Sequence, residues 1–160
     1  MSHKTGRDAK IRNAMSAAPP NMSANATIRD WPASPGDDMV VLRAGSNSWT
    51  CLPETPESSA NDPMCLDQPW LDFMTAFNKK EAPVITQMGF GYMLQTNDLA
   101  YSNTDPFATE ATADNEWQDS DTPHIMILVP DAKTLDGLPT DPIHQKRCNL
   151  TSNSKKFCRR

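Results

Sequence analysis

The stretch Leu42–Asp67, LRAGSNSWTCLPETPESSANDPMCLD, decides how this chain folds. It contains two of the four cysteines, a Gly-Ser-Asn turn, and Trp49, which stands two residues before Cys51. The pattern predicts a short strand, a turn, a second strand, a polar loop and a return to Cys65. A disulfide that closes such a loop is typical of small extracytoplasmic domains.

The four cysteines allow three disulfide connectivities, and buried free thiols are an alternative. The spacings are C-x13-C for Cys51 and Cys65 and C-x9-C for Cys148 and Cys158. Neither spacing contains the close cysteine pair that most structural zinc sites use. We favour a bridge between Cys51 and Cys65, because the loop between them is rich in Pro, Ser, Asn and Asp and folds back easily. Such a bridge stabilises a domain by about 3 kcal/mol in the chain-entropy model.

Charge is unevenly distributed along the chain. Residues 143–160 hold six of the 15 Lys and Arg residues and no acid, so residues 1–142 carry nine basic and 20 acidic side chains, a formal charge of −11. An acidic body repels nucleic acid, and we expect no nucleic-acid partner. We interpret residues 1–142 as a single domain and residues 143–160 as a basic, disordered tail, since short charged termini are usually solvated.

The N-terminal half has the pattern of one helix and several short strands. Ser2–Ala18 has helical spacing and ends at two prolines. Ala26–Ile28 is typical of a short strand. Met39–Arg43 and Ser48–Leu52 alternate in hydrophobicity across a turn and predict a β-hairpin.

The C-terminal half predicts a helix followed by two strands. Asp67 is a good N-cap for a helix with large apolar residues at i, i+3, i+4 and i+7, a stripe that is more often core than a cofactor pocket. Ile85–Gln95 is predicted to be a strand. Its glycines indicate either a neighbouring side chain that packs flat against them or a β-bulge. Thr96–Thr122 is predicted to be an acidic loop, and Pro123–Pro130 a central strand. Together the elements predict an α+β domain, a small antiparallel sheet with helices packed on one face and one disulfide-stapled loop.

Four segments, LRAGSNSWTCLP, DPMCLD, ITQMGFGYML and PHIMILVPD, resemble a family of uncharacterised exported bacterial proteins. The resemblance extends from about Ala9 to Pro142 and implies a single domain in the periplasm or outside the cell. It supplies no activity. The chain departs from the family pattern because it lacks an export signal and because its last residues do not resemble the family's apolar closing strand. The family motifs R-x-G-x-N-x-[WF]-x-C-L and P-M-C-x-D correspond to Arg43, Gly45, Asn47, Trp49, Cys51 and Leu52, and to Pro63, Met64, Cys65 and Asp67.

No established catalytic motif is present, so no catalytic residue is assigned. His124 is the only histidine within the patterned region, and Tyr92 and Asp67 are the candidates to act beside it. A hydrolase needs a nucleophile, a base and an orienting acid within reach of one another. A histidine at the end of a buried strand is more often a hydrogen-bonded structural residue.

A cluster of acidic side chains in the predicted loop is the candidate for a metal site. Carboxylate oxygens suit calcium, but the EF-hand pattern is absent and a solvated acidic loop is the commoner reading. We assign no metal and no cofactor. The candidate residues are Asp114, Glu116, Asp119 and Asp121.

The leading functional hypothesis is a non-catalytic exported binding or interaction module with a protein or small-molecule ligand. The alternative is a hydrolase-like enzyme that uses His124 with a nearby carboxylate. No apolar run approaches the ~20 residues that span a bilayer, so we expect no membrane span. The two functional hypotheses differ in whether the fold brings His124 together with an acid and a nucleophile.

Overall fold

The computed structural model describes residues 6–34, 37–56, 58–96, 100–102, 105, 107–108, 110–119 and 122–138. The chain divides into two compact units, residues 1–130 and residues 131–160. In the second unit the described residues form a short 3₁₀ helix, Ala132–Leu135, whose N-cap Asp131 accepts a hydrogen bond from the Lys133 amide. The predicted basic tail, with Cys148 and Cys158, lies outside the described residues.

The first unit is built from helices and strands that are short and closely spaced. Its described helices are α1 (Arg7–Met15), α2 (Pro20–Ser23) and α3 (Gln68–Asn78). Its described strands are β1 (Thr27–Asp30), β2 (Val40–Arg43), β3 (Thr50–Leu52), β4 (Met64–Leu66), β5 (Gly89–Met93), β6 (Ala100–Ser102), β7 (Trp117–Asp119) and β8 (His124–Leu128).

Six strands form one sheet in the order β2-β1-β3-β4-β5-β8, and β6 pairs with β7 in a separate ribbon. The predicted α+β class is confirmed. The sheet is mixed rather than purely antiparallel, because β1 and β3 run parallel while the other neighbours run antiparallel. The ribbon lies within Thr96–Thr122, which the sequence pattern indicated to be a loop throughout.

The predicted hairpin between β2 and β3 is wrong, because β1 lies between these two strands. The connection from β2 to β3 crosses over the start of β1 instead of turning tightly. There the amides of Ser46 and Asn47 donate to the Asn25 carbonyl at 2.8 and 3.2 Å, and the Thr27 amide donates to the Trp49 carbonyl at 2.9 Å. These bonds hold β3 on the far side of β1.

The prediction that Pro123–Pro130 contains a strand is confirmed, but its predicted central position is wrong. β8 is the last strand of the sheet and pairs only with β5 among the described residues. Its alternate side chains Ile125 and Ile127 are 52% and 53% exposed. The apolar run therefore does not mark burial on both faces.

The two longer helices cover opposite faces of the sheet, where the sequence predicted one covered face. The register places Ile28, Cys51, Cys65 and Tyr92 in one row, and Ala14 of α1 belongs to the core cluster on this side, here called the α1 face. The opposite side, the α3 face, carries Leu66, Gly91 and Met126. Both faces of this sheet are apolar, so each needs a covering layer.

Glycines in β5 allow α3 to approach the sheet closely. A Cβ atom at Gly89 would lie 2.8 Å from Pro69 Cβ and 3.3 Å from Trp70 Cδ1. A Cβ atom at Gly91 would lie 3.6 Å from the same indole carbon. Side chains thus lie close to both glycines, and Trp70 is near each of them.

α3 ends in a Schellman motif that has lysine where glycine is usual. The Lys80 amide donates to the Phe77 carbonyl and the Glu81 amide to the Ala76 carbonyl, both at 2.9 Å. This arrangement requires a left-handed residue after the C-cap Lys79, and Lys80 takes a φ of 56°. A left-handed conformation costs about 1–2 kcal/mol for a residue with a Cβ atom.

Lys80→Gly is therefore expected to raise the free energy of unfolding by about 1 kcal/mol. The loss of the Lys80 ammonium, 6.0 Å from the Phe107 ring, offsets part of this gain. Urea denaturation measures the change as a higher midpoint with an unchanged slope. Lys79→Gly is the control, since Lys79 is right-handed with φ −83° and should lose stability. Equal losses in both variants would contradict the expectation.

Candidate functional site

The residues that carry the family resemblance hold the core together. Arg43 reaches under the short helix α2, where its Nη2 donates to the carbonyls of Ser23 at 2.8 Å and Ala26 at 3.0 Å. Its Nη1 lies 3.1 Å from Met15 Sδ. The guanidinium thus ties the end of α2 to the segment that leads into β1, and the Ser23 carbonyl also accepts from the Ala26 amide at 3.3 Å.

Asn47 and Trp49 continue the same structural role. Asn47 Nδ2 donates to the Met22 carbonyl at 2.9 Å, and Oδ1 accepts from the Trp49 amide at 3.1 Å. The Trp49 indole packs edge-on against Tyr92, with ring centroids 5.3 Å apart. These contacts fasten the β2–β3 connection to the core, and they account for this motif without a reaction centre.

The cysteines and the aspartate of the second motif are structural too. Cys51 and Cys65 lie directly opposite each other on β3 and β4, with Cα atoms 4.0 Å apart, and form the predicted disulfide. Asp67 Oδ1 accepts from the Trp70 amide at 3.2 Å, which confirms the predicted N-cap of α3. Asp67 Oδ2 accepts from the Phe90 amide at 2.7 Å. One carboxylate therefore joins β4, α3 and β5.

The structure does not bring the three candidate catalytic residues together. His124 pairs with Met93 on one side of β5, whereas Asp67 binds Phe90 on the other side. Phe90 and Met93 are three residues apart, about 10 Å along the strand, so Asp67 and His124 are separated both along β5 and across it. Tyr92 projects onto the α1 face, and His124, in register with Met93, projects onto the other face. His124 Nδ1 lies 2.9 Å from the Thr122 carbonyl. That bond is typical of a structural histidine.

The candidate metal ligands likewise form no cluster where the chain is described. Asp114 is an exposed residue of the tight turn between Thr112 and Asn115, and Glu116 is exposed just after that turn. The side chain of Asp119 and the whole of Asp121 lie outside what the structure describes. Within the described ranges, no group of three or more His, Cys, Asp or Glu residues has the arrangement of a metal site.

An exposed apolar surface lies at the β8 end of the sheet, and sequence reasoning missed it. On the α1 face, Phe90 pairs with Ile127 and Tyr92 pairs with Ile125. Tyr92 packs against Trp49, but Phe90, Ile125 and Ile127 are 37%, 52% and 53% exposed. We call these three side chains, together with the outer backbone edge of β8, the β8 surface.

The backbone of β8 presents hydrogen-bonding groups at this surface that pair with no described strand. The amide and carbonyl of Phe90 both point to Asp67, at 2.7 and 3.1 Å, and so away from β8. The backbone groups of successive residues point to opposite sides of a strand, so those of the odd-numbered residues of β5 point towards β8. In the observed register they bond the even-numbered residues of β8. The amides and carbonyls of Ile125 and Ile127 therefore point outward, where no described strand meets them.

Within the part of the chain that the structure describes, this edge lacks the usual protection of an exposed strand. Natural edge strands are commonly blunted by lysines, by bulges or by a covering segment. Between Pro123 and Pro130 the chain has no charged residue, and its pairing with β5 is continuous over all five residues. The two prolines limit the length of the edge. The β8 surface is thus a short, uncharged edge that is suited to the addition of another strand.

Comparison with known proteins leaves the family resemblance untested. No protein-family model matches the sequence, and it matches no curated protein and no solved structure. Membership of the exported bacterial family therefore stays a prediction. Function is inferred from the geometry of the chain itself.

Proposed function

We propose that this protein is a non-catalytic exported interaction module, of bacterial origin, that binds a polypeptide segment in extended conformation at the β8 surface. The observation that carries the proposal is the pair of outward-facing backbone units at Ile125 and Ile127, beside exposed apolar side chains. Backbone hydrogen bonds supply affinity in strand addition, and pockets for alternate side chains supply specificity.

The disulfide supports the export part of the proposal. Cys51 and Cys65 are fully buried and bridged across neighbouring strands. Structural disulfides persist in the periplasm and outside the cell, and they are rare in the reducing cytosol. Among the described residues, no helix is long and apolar enough to cross a bilayer. The resemblance to exported bacterial proteins points to the same compartments.

A protein ligand suits the β8 surface better than a small molecule does. Small-molecule sites are concave and enclose most of the ligand. The β8 surface is instead the end of a sheet, with two isoleucines half-exposed in a row. A flat row, beside backbone groups that no described strand pairs with, is complementary to an extended chain.

The test is a titration of isotope-labelled protein with a short synthetic peptide of alternating valine and threonine. We expect amide chemical-shift changes concentrated at Phe90, Ile125 and Ile127, because the added strand lies beside them. The control peptide is methylated on alternate backbone nitrogens, which removes the donors that face β8. Ile127→Pro should abolish binding and keep the fold, since the Ile127 amide is not bonded to β5. Shifts that avoid β8, or equal binding of the methylated peptide, would contradict the proposal.

A further inference from the structure

We infer that the preferred occupant of the β8 surface is a second copy of this chain, with the two β8 strands paired antiparallel about a two-fold axis at Met126. The inference rests on the proposed function and names the partner. The union of the two sheets would form one continuous sheet across the axis. A closed, isologous contact of this kind stops at two copies.

The outward-facing groups of β8 are complementary to themselves. With the axis at Met126, Ile125 of one copy lies opposite Ile127 of the other, and the reverse pair follows by symmetry. Both residues direct their amide and carbonyl to the outer edge, so each pair exchanges two hydrogen bonds. Four backbone bonds form, and no outward group of either isoleucine is left without a partner.

The prolines select this register over its neighbours. An axis at Ile125 would place Ile127 opposite Pro123, which has no amide to donate. An axis at Ile127 would place Ile125 opposite Val129, which lies beyond the strand. Only the axis at Met126 pairs all five residues of β8 with all five residues of the second copy.

The side chains at the junction are compatible with self-pairing. Ile125 and Ile127 of both copies would form one row on the α1 face, flanked by Phe90 from each side. Cross-strand pairs of β-branched residues stabilise antiparallel sheets. The strand carries no Asp, Glu, Lys or Arg, so the pairing sets no like charges opposite each other. Self-pairing thus places the exposed apolar rows of the two copies side by side.

The size of the contact sets its strength. Five strand residues per copy fall well below the roughly 20–30 residues per side of a standard stable interface. The dimer is therefore weak and depends on protein concentration. The full chain carries a formal charge of −5, so two copies repel each other at low salt. Association should strengthen with salt, because the Debye length falls from about 10 Å at 0.1 M to about 3 Å at 1 M.

Sedimentation velocity of the full chain is the first test. The sedimentation coefficient should rise from the monomer value towards the dimer value between about 10 µM and 1 mM, the range of weak association. Ile127→Lys should hold the protein at the monomer value. Val41→Lys is the matched control, because Val41 is also β-branched, also on an edge strand, and 52% exposed against 53% for Ile127. Equal dimerisation of the Ile127→Lys variant, or loss in the Val41→Lys variant alone, would overturn the inference.

Cysteine cross-linking tests the register independently of affinity. Ile125→Cys and Ile127→Cys are made in separate chains that also carry Cys148→Ser and Cys158→Ser. Mild oxidation should cross-link a mixture of the two chains several-fold more than either chain alone, because only the mixture places the new cysteines opposite each other. Both positions are half-exposed, and the urea midpoint of each variant checks that it folds. Equal cross-linking in all three samples would overturn the register.

The same samples separate this inference from the function on which it rests. A chain that stays monomeric up to about 1 mM, while the valine–threonine peptide shifts Phe90, Ile125 and Ile127, would overturn self-pairing and leave strand addition intact. A monomeric chain that also ignores the peptide would overturn both. A concentration-dependent dimer that Ile127→Lys dissociates, with the mixed cross-link, supports both.

Discussion

Gly45→Ala is expected to lower the free energy of unfolding by about 3 kcal/mol or more. A Cβ atom at this position would stand well within 3.0 Å of the backbone of Ala26 and Thr27, an approach that real Cβ atoms essentially never show. Flexible side chains can rotate away from a new methyl group, but these atoms belong to the main chain. One of the two segments must therefore move.

The surrounding bonds leave little room for that movement. The amides of Ser46 and Asn47 donate to the Asn25 carbonyl, and Arg43 donates to the Ala26 carbonyl. If the β2–β3 connection moves to make room for the new methyl group, several of these hydrogen bonds lengthen at once. Each buried polar group left unsatisfied costs about 1–3 kcal/mol.

Urea denaturation of the Gly45→Ala and Gly91→Ala variants makes the comparison. Neither glycine has a left-handed φ, so the variants differ chiefly in what the methyl group meets. At Gly91 it would meet the far end of Met126 at 2.8 Å and a Leu66 methyl at 2.9 Å. Because Met126 is flexible, Gly91→Ala should cost about 1 kcal/mol. A loss at Gly45 no larger than at Gly91 would contradict the expected strain.

The parts of the fold that sequence predicts well are those with local signals. Asp67 is recognisable as a helix cap because the cap and the amide it accepts from are three residues apart. The Cys51–Cys65 bridge is recognisable because a loop of turn-forming residues connects the two cysteines. The glycines of β5 predict a close neighbour, although the pattern cannot identify that neighbour as Trp70. In each case the signal lies in a short stretch of sequence, even where the contact itself joins residues 14 or more apart.

The order of the strands could not be predicted, because distant contacts decide it. β2 and β3 are separated by a short turn-forming segment, and in sequence such a pair is indistinguishable from a hairpin. The Asn25 carbonyl, which accepts two bonds from that segment, places β1 between them. Nothing in the pattern around Asn25 indicates this partner.

The candidate site shows the same limit in a sharper form. A continuous apolar run is typical of a strand buried on both faces, yet β8 exposes Ile125 and Ile127 at the edge of the sheet. Edge and centre differ in the neighbours of a strand, not in its sequence. The separation of His124 from Tyr92 and Asp67 likewise follows from register, because one residue of register decides the face. The residue types can be read from the sequence, but which of them lie close together in the fold cannot.

Reduction of the Cys51–Cys65 disulfide is expected to lower the free energy of unfolding by about 3 kcal/mol, or the melting temperature by about 10 °C. The two cysteines are 14 residues apart and fully buried between β3 and β4. The bridge restricts the unfolded chain over this loop, and its loss restores that freedom. Scanning calorimetry with and without a phosphine reductant measures the change.

The double variant Cys51→Ala with Cys65→Ala separates the cross-link from the packing. Reduced protein keeps the volume of both sulfur atoms, whereas the alanine variant also loses buried contacts, including that of Cys65 with the Ala14 carbonyl at 3.8 Å. The variant should therefore be less stable than the reduced protein by about 1–2 kcal/mol. Its melting temperature should not respond to reductant. A response would mean that another disulfide contributes to stability.

The size of the reductive loss bears on where the protein functions. Natural domains are stable by only about 5–15 kcal/mol, so 3 kcal/mol is a large fraction of the total. Equilibrium stability in the reduced state would then be marginal near 37 °C, and the folded population would depend on an oxidising compartment. If reduction instead leaves the melting temperature unchanged within error, the disulfide does not stabilise the fold. An oxidising compartment would then give the protein no advantage in stability. That result would remove the structural support for the proposed periplasmic or extracellular location.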